Sequence, residues 1–419
     1  MDTSFEQRPV IITTIDCEES ERSASSLLSL SRHSLSSLYP SVSAFQGALT
    51  IVREELCSVG GLVKDVSAVL DDYGSKSVAA HVRLTLARAS YSAGVSVNQA
   101  GRPSVEGSFF YPVFSRYPFA LTGSVSRAWD GSHAVEGMAT GRLKSWDLMG
   151  KLYLKSFDFS NSSGFGEERA GIEARISRGE HAVSVVAENR EILPCSARKS
   201  NSLDVVLSSR LRSIRTFAAY EYRRDVVRRF RDSGLPAGGW QGKLRAEIPL
   251  DSDNFVCRIL GGFDTFLRFK TTKRIVAFSS LRMGVVNAGE DVVSFSDKFF
   301  PGGSQDSFLS VLGYAPRSIH PQEGGIGSLG FAAIRGGLTF DLPGLPGSGV
   351  RGICFTQCAV AEDHIRLSSD VFRFSMGLGV IIPAGDRGAF TLSFAQPFGA
   401  IGKEDQQRFQ LGFSVTKEV

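Results

Sequence analysis

Residues 372–399, FRFSMGLGVIIPAGDRGAFTLSFAQPFG, constrain the fold more than any other part of the chain. Phe372, Phe374, Met376, Leu378, Val380 and Ile382 are apolar. Arg373, Ser375, Gly377 and Gly379 between them are polar or tiny, until Ile381 breaks the pattern. A period of two means a β-strand, because successive side chains point to opposite faces. Such a strand separates two environments. In a soluble sandwich the apolar face turns inward and the polar face meets water. In a large membrane barrel the apolar face meets lipid and the polar or small face lines a wet lumen.

The rest of the chain decides between the two. LRAEIPL sets Leu244, Ala246, Ile248 and Leu250 on one face, and GGLTFDL does the same with Leu338, Phe340 and Leu342. RFQLGFSVT sets Phe409, Leu411, Phe413 and Val415 against Gln410, Gly412, Ser414 and Thr416. Turn-rich breaks such as NSSGFGEE, DSGLPAGG and LPGLPGSG separate such segments. From residue 90 onward no helical periodicity appears, and units of about 20 residues predict roughly 16 strands. So many strands of that length fit one barrel better than a sandwich. The 44 Gly, 30 Phe and 9 Tyr suit aromatic strands joined by many turns. No segment reaches the ~18 consecutive apolar residues of a membrane helix.

The N-terminal part reads differently. PVIITTID is a short strand, and the serine-rich stretch 23–43 reads as a solvated helix or loop. Phe45, Leu49, Val52 and Leu56 recur at helical spacing. VKDVSAVLD and SVAAHVRLTLAR follow as strands, the latter with Val82, Leu84 and Leu86 on one face. Residues 8–89 therefore form a small α+β unit and 90–419 the β domain. MDTSFEQRPV lacks a basic segment followed by an apolar one and carries early acids, so neither a secretory signal nor a matrix-targeting presequence is expected. A barrel without a secretory signal points to an organelle's membrane.

Several function classes fall away. A net charge of +4 is too weak to indicate nucleic acid. Cys17, Cys57, Cys195, Cys257, Cys354 and Cys358 show no metal-ligand spacing and no disulfide framework, with Cys354 and Cys358 on one strand face. GIGSLG, 325–330, matches a dinucleotide fingerprint in letters, but an alternating strand follows it where a helix is required. RRDVVRRFR, 223–231, reads as a strand end and rim with arginines in water or lumen, with lipid headgroups as the weaker reading. His33, His81, His133, His181, His320 and His364 are isolated. No nucleophile is paired with a base, so no enzyme, cofactor or metal is expected.

DKFFPGGSQDSFLSVLGY, LGFAAIRGGLTFDLPGLP, VRGICFTQCAVA and the opening segment occur in an order and spacing that resemble the bacterial surface antigen family, the barrel-assembly proteins of bacterial and organellar outer membranes. RDSGLPAGGW (231–240) resembles a strand–turn signature of that family. The resemblance is strongest to its mitochondrial branch, the central barrel of the sorting and assembly machinery (SAM complex). Residues 8–89 are similar to a single POTRA domain, and one such unit favours mitochondria over bacteria, with plastids second.

What the resemblance implies is an all-β transmembrane barrel of about 16 antiparallel strands with a small N-terminal POTRA-like domain. Its function would be to insert β-barrel precursors into the mitochondrial outer membrane. Its partners would be those precursors, accessory subunits of an assembly complex, and membrane lipid. The implied mechanism is a lateral gate between the first strand, 90–98, and the last, 408–416. A precursor's unpaired backbone groups each cost several kcal/mol in hydrocarbon, and an opened seam offers a template edge. Ser90, Tyr91, Ser92, Gly94 and Val95 would face Gln410, Gly412 and Ser414 there, the glycines weakening the pairing. The alternative is a protein-translocating or passive pore-forming barrel of a plastid or mitochondrial outer membrane.

One departure stands out. The family's lumenal loop carries an Arg-Gly-Phe tip whose arginine reaches an acid on a later strand. Here Val311 is followed by Leu312, Gly313 and Tyr314, and the strand carries Gln357. Both halves of the ion pair are replaced together, which is nearly neutral where losing one half is not. The loop is expected to enter the lumen all the same, held by Tyr314 packing and by neutral contacts to Gln357.

Overall fold

The computed structural model describes residues 5–17, 28, 31, 35–58, 62–72, 77–97, 103–114, 118–129, 131–143, 145–158, 165–194, 212–230, 233–251, 256–269, 275–287, 293, 297–303, 308–315, 317–319, 327–342, 349–363, 372–384, 388–399 and 406–415. Cys195, His33, His320, His364 and most of the serine-rich stretch lie outside these.

In the N-terminal unit, β1 (Val10–Cys17), β2 (Leu38–Tyr39), β3 (Val63–Asp72) and β4 (Val78–Leu86) form a sheet of order β2-β1-β4-β3. The parallel β1–β4 pair lies between antiparallel neighbours. Helix α1 (Val42–Ser58) starts where the Ser41 hydroxyl accepts the Ala44 N–H at 3.2 Å, capping one of the amides a first turn leaves open. It buries Phe45, Val52 and Leu56 against Val10, Val66, Val82 and Leu84. Phe110, Phe114 and Ala120 of the following domain join this cluster, which docks the unit on one end of the second sheet.

That sheet is continuous and antiparallel. Its strands are β5 (Ser90–Val97), β6 (Pro103–Val113), β7 (Phe119–Ala128), β8 (His133–Leu143), β9 (Trp146–Asp158), β10 (Phe165–Arg178), β11 (His181–Pro194), β12 (Arg212–Asp225) and the two-residue β13 (Arg228–Arg229). There follow β14 (Pro236–Pro249), β15 (Cys257–Arg268), β16 (Ile275–Asn287), β18 (Gly330–Asp341), β19 (Arg351–Glu362), β20 (Arg373–Ala384), β21 (Gly388–Phe398) and β23 (Phe409–Val415). Two short strands inside the connections, β17 (Gly313–Tyr314) and β22 (Gln406–Gln407), pair with each other. Setting β13 aside, the sheet has sixteen strands. Each neighbouring pair from β5 round to β23 has a residue-by-residue register, as in β10 on β11 from Phe165↔Pro194 to Arg178↔His181. The order brings β23 round to β5. Among the described residues this last junction has no residue-by-residue register, so the described ladder runs from β5 to β23.

The two faces are inverted relative to a soluble protein. Phe374, Met376 and Leu378 are 51%, 53% and 65% exposed, while Arg373 and Ser375, at the alternate positions, are buried. Leu152, Leu154, Ile172, Ile176, Val183 and Ile248 are exposed likewise, and Glu188, Arg190, Arg215, Glu247 and Asp264 are buried. An apolar outer band with polar residues inside is the pattern lipid imposes on a barrel. Trp146 with Arg178 and Trp240 with Arg224, each cation 5.5 Å from the ring centroid, mark the rim at the end that carries the N-terminal unit. Arg228 and Arg229 lie on the same rim. We call this the near end. Because β5 starts there and the strands alternate, the connection 288–329 leaves β16 at the far end.

Candidate functional site

Two features stand out: the seam between β5 and β23, and the 288–329 connection folded back against the inner wall.

At the seam, β5 pairs with β6 along its whole length, from Ser90↔Phe110 to Val97↔Pro103, and the Ser92 and Ser108 hydroxyls hydrogen-bond. Its other edge is open among the described pairings. Tyr91 is 86% and Val95 75% exposed, and a Cβ built on Gly94 meets nothing within 4 Å. On the other side β23 pairs with β21 from Phe394↔Phe409 to Gly388↔Val415, which puts Gly412 opposite Thr391 and Ser414 opposite Ala389. Gln410 is buried. The side chains of Gly412 and Ser414 lie outside the described residues, as does Asn98.

The connection is held at a foot and at a tip. Near its foot Asp297 Oδ1 accepts from Arg190 Nη1 at 2.8 Å and from Arg215 Nη1 at 2.9 Å. Glu188 bonds the Arg190 Nε, and Glu247 meets Arg215 at 3.3 Å. Burial alone would raise the Asp297 carboxyl, but Arg190 and Arg215 outweigh it and hold the group below the ordinary carboxylate range. Phe299 follows, edge-on to Phe331 at 5.0 Å and capped by Arg258 at 4.7 Å. The chain then turns at Pro301-Gly302-Gly303. Gly302 has φ +124° and a Cβ there would sit 2.4 Å from the Ala315 carbonyl oxygen, so only glycine fits.

The tip is held without charge. The Leu312 N–H donates to Gln357 Oε1 at 3.1 Å, and Gln357 Nε2 donates to the Ser310 carbonyl at 3.0 Å. The Gly313 N–H donates to Gln410 Oε1 at 3.3 Å, and Gln410 Nε2 donates to the Tyr314 carbonyl at 2.9 Å. Gly313, at φ +90°, passes so close to Ala395 that a Cβ would stand 3.2 Å from the Ala395 Cβ. The Tyr314 hydroxyl reaches the carbonyls of Phe374, at 3.0 Å, and Phe398. The Leu312 side chain occupies an apolar pocket of Ile353, Phe355 and Ala395, and Val311 packs in the cluster of Phe299, Phe331 and Ala359.

The sequence-predicted residues thus fall into two groups. Val311, Leu312, Gly313, Tyr314 and Gln357 come together with Gln410. Ser90, Tyr91, Ser92, Gly94 and Val95 lie on the opposite lip of the seam. Sequence reasoning missed Asp297, Arg190 and Arg215. Their one available signal was parity: Arg190 and Arg215 share the faces of Glu188 and Glu221, opposite the exposed Val183, Val185 and Ile214. Of the dinucleotide-like GIGSLG, residues 325 and 326 lie outside the described residues. Ser328 makes an isolated bridge to Phe299, and β18 follows directly.

Residues 88–416 match the Omp85 superfamily domain. The chain belongs to the Omp85 superfamily and is an outer-membrane β-barrel. Among solved structures it resembles BamA from Haemophilus ducreyi lacking POTRA domains 1–3, with a TM-score of 0.71 at 16% identity over 97% of this chain and 84% of that one. It also resembles CdiB from Escherichia coli (TM-score 0.54, 12% identity, 98% and 76% covered) and CdiB from Acinetobacter baumannii (0.51, 11%, 97% and 73%). At these identities the likeness is one of fold. No curated protein matches the chain by sequence.

Proposed function

We propose that the protein inserts β-barrel precursors into the mitochondrial outer membrane through a lateral gate between β5 and β23. The observation that carries this reading is the seam, the single place in the sixteen-strand order where neighbours lack a register among the described residues. Breaking an ordinary junction exposes backbone groups to hydrocarbon at several kcal/mol each. A weakly paired junction offers an edge at a lower cost, and an incoming strand completes it by main-chain hydrogen bonds. The role is physical, not enzymatic. Its partners are unfolded barrel precursors, accessory subunits and lipid, with no cofactor.

In this reading residues 8–89 are a single POTRA-like domain. Its support is the mixed sheet with one packed helix, and the likeness to BamA, which extends over nearly the whole chain. The domain faces the intermembrane space, since it sits at the near end beside β5. Protease added to intact organelles is expected to spare it until the outer membrane is ruptured, and cleavage before rupture overturns this orientation. A passive pore is disfavoured by the connection fastened inside the lumen at both foot and tip. The deciding experiment is depletion of the protein, then measurement of whether newly imported barrel proteins reach a protease-resistant membrane state. Undiminished assembly removes the insertion reading.

A further inference from the structure

Gln410 has two attachments, one through its backbone and one through its side chain. Its backbone belongs to β23, in register with Ser393 of β21. Its side-chain amide is turned to the connection and bonds two successive residues, accepting from the Gly313 N–H and donating to the Tyr314 carbonyl. An amide that accepts from one residue's N–H and donates to the next one's carbonyl offers a main chain what a neighbouring strand offers. Three and four residues earlier along the chain the same join continues in backbone form, with Gly313↔Gln407 and Tyr314↔Gln406. Between them the Ala395 N–H donates to the Arg408 carbonyl at 2.7 Å, tying this segment to β21. The far-end part of the last strand is therefore held from two sides, by β21 and by the tip. From Leu411 to Val415 the described pairings come from β21 alone.

We propose that Gln410 is a positioning residue that latches the last strand to the tip of the connection, so that the seam opens from the near end. An incoming strand then begins pairing beside Val415, next to the N-terminal unit, and advances toward Phe409. This rests on the reading of the seam as a gate, but the latch is a property of the protein alone. Glutamine suits the task because it satisfies both a donor and an acceptor while carrying no charge. Its two neutral bonds can be exchanged for bonds to an arriving strand.

The test is amide hydrogen exchange on the full-length protein in detergent micelles, with heat-modifiable migration as the check that each variant is folded. In the unsubstituted protein, residues 406–410 are expected to exchange about tenfold more slowly than 411–415. Gln410→Met keeps the length and loses both bonds, and should erase most of that difference while also loosening 311–314. Gln357→Met breaks the other clamp, and should loosen 310–312 while leaving 406–410 protected. The latch is overturned if 406–410 exchanges as fast as 411–415 at the outset, or if the two methionine variants give the same pattern. A protein that shows the gradient but leaves imported barrels unaffected on depletion would retain the latch and lose the insertion function.

Discussion

The connection 288–329 is fastened to opposite walls by opposite chemistries. At its foot Asp297 sits between Arg190 and Arg215, with side chains 7%, 5% and 9% exposed, and Glu188 and Glu247 complete a charged cluster on β11, β12 and β14. At its tip Gln357 and Gln410 hold only backbone groups. Breaking one partner out of a buried ion pair costs roughly 3–5 kcal/mol, because a charge is left behind. Breaking one neutral bond costs about 1 kcal/mol when the freed groups find other partners. Bond for bond, one anchorage is therefore the costlier to break and the other the more readily exchanged. The exchangeable one lies on β19 and β23, the seam side of the sheet, and the costlier one lies far from it. A connection charged at both ends would hold the last strand as firmly as the far wall.

The largest effect is expected from removing the freedom of the seam side. Ser92→Cys with Ser414→Cys, or a pair in an adjacent register, should crosslink and abolish insertion of new barrels while heat-modifiable migration shows an intact fold. Reduction should restore insertion. A locked protein that still inserts substrates at the normal rate would show that the seam is not the route and that the softness of the tip serves something else.

Next in size is the foot. Asp297→Asn keeps the shape and removes the charge that Arg190 and Arg215 share, with a loss of about 3–5 kcal/mol in unfolding by urea. Glu188 and Glu247 remain, which places the loss toward the lower figure. The sign with pH follows from the carboxyl being held below its ordinary range. Its stabilisation is fully present above the unfolded value of about 4, and is lost as pH falls through the lower folded value. The foot should therefore hold at pH 5. A wild-type protein that loses the difference from Asp297→Asn already at pH 6 would contradict the ionic account.

At the tip, Leu312→Arg drives a guanidinium into the pocket of Ile353, Phe355 and Ala395. The expected cost is about 2–3 kcal/mol, since a long side chain recovers part of its hydration by reaching along the lumen. Adding Gln357→Asp supplies an acid and should recover part of the loss, read as a coupling energy in a double-mutant cycle. Recovery is incomplete because Gln357 stands in register with Arg335, whose guanidinium lies 5.9 Å from the Phe278 ring and would compete for the new carboxylate. No recovery at all would mean that Leu312 and Gln357 are not the positions at which an arginine and an acid could face each other.

The difference between foot and tip also marks how far the sequence can be read. Lipid imposes a two-residue period on every strand it touches, so Phe374, Met376 and Leu378 against Arg373 and Ser375 show the outer face without any structure. The tip was legible through its likeness to a known family, which placed Leu312 and Gln357 together as a matched replacement. Gln410 was legible only as a strand residue, because its bond to Gly313 spans 97 positions and one glutamine in a strand has no distinctive spacing. The foot was not legible. Asp297 meets Arg190 and Arg215 across 107 and 82 positions, and a lone aspartate in a long connection looks like any solvated one. Nor does a periodic pattern single out one junction among sixteen as the one without a register among the described residues, since both seam strands alternate like the rest.

The smallest effect expected is at Gly94, and it separates two sources of softness at the seam. Glycine in a strand interior weakens it through backbone entropy and the missing side chain. A Cβ at Gly94 meets nothing within 4 Å, so close packing does not demand glycine there. Gly94→Thr should therefore fit and stiffen β5 by about 0.5–1 kcal/mol, measured as a rise in the urea midpoint. If the seam yields because β5 is intrinsically loose, insertion should slow in step with that gain. If it yields because the tip holds β23 by neutral bonds alone, Gly94→Thr should leave the insertion rate unchanged while Gln410→Met alters it. A fall in stability on Gly94→Thr would mean that the side chain meets a neighbour absent from the described residues around Gly94, and that β5 and β23 lie closer in the membrane than the described pairings indicate.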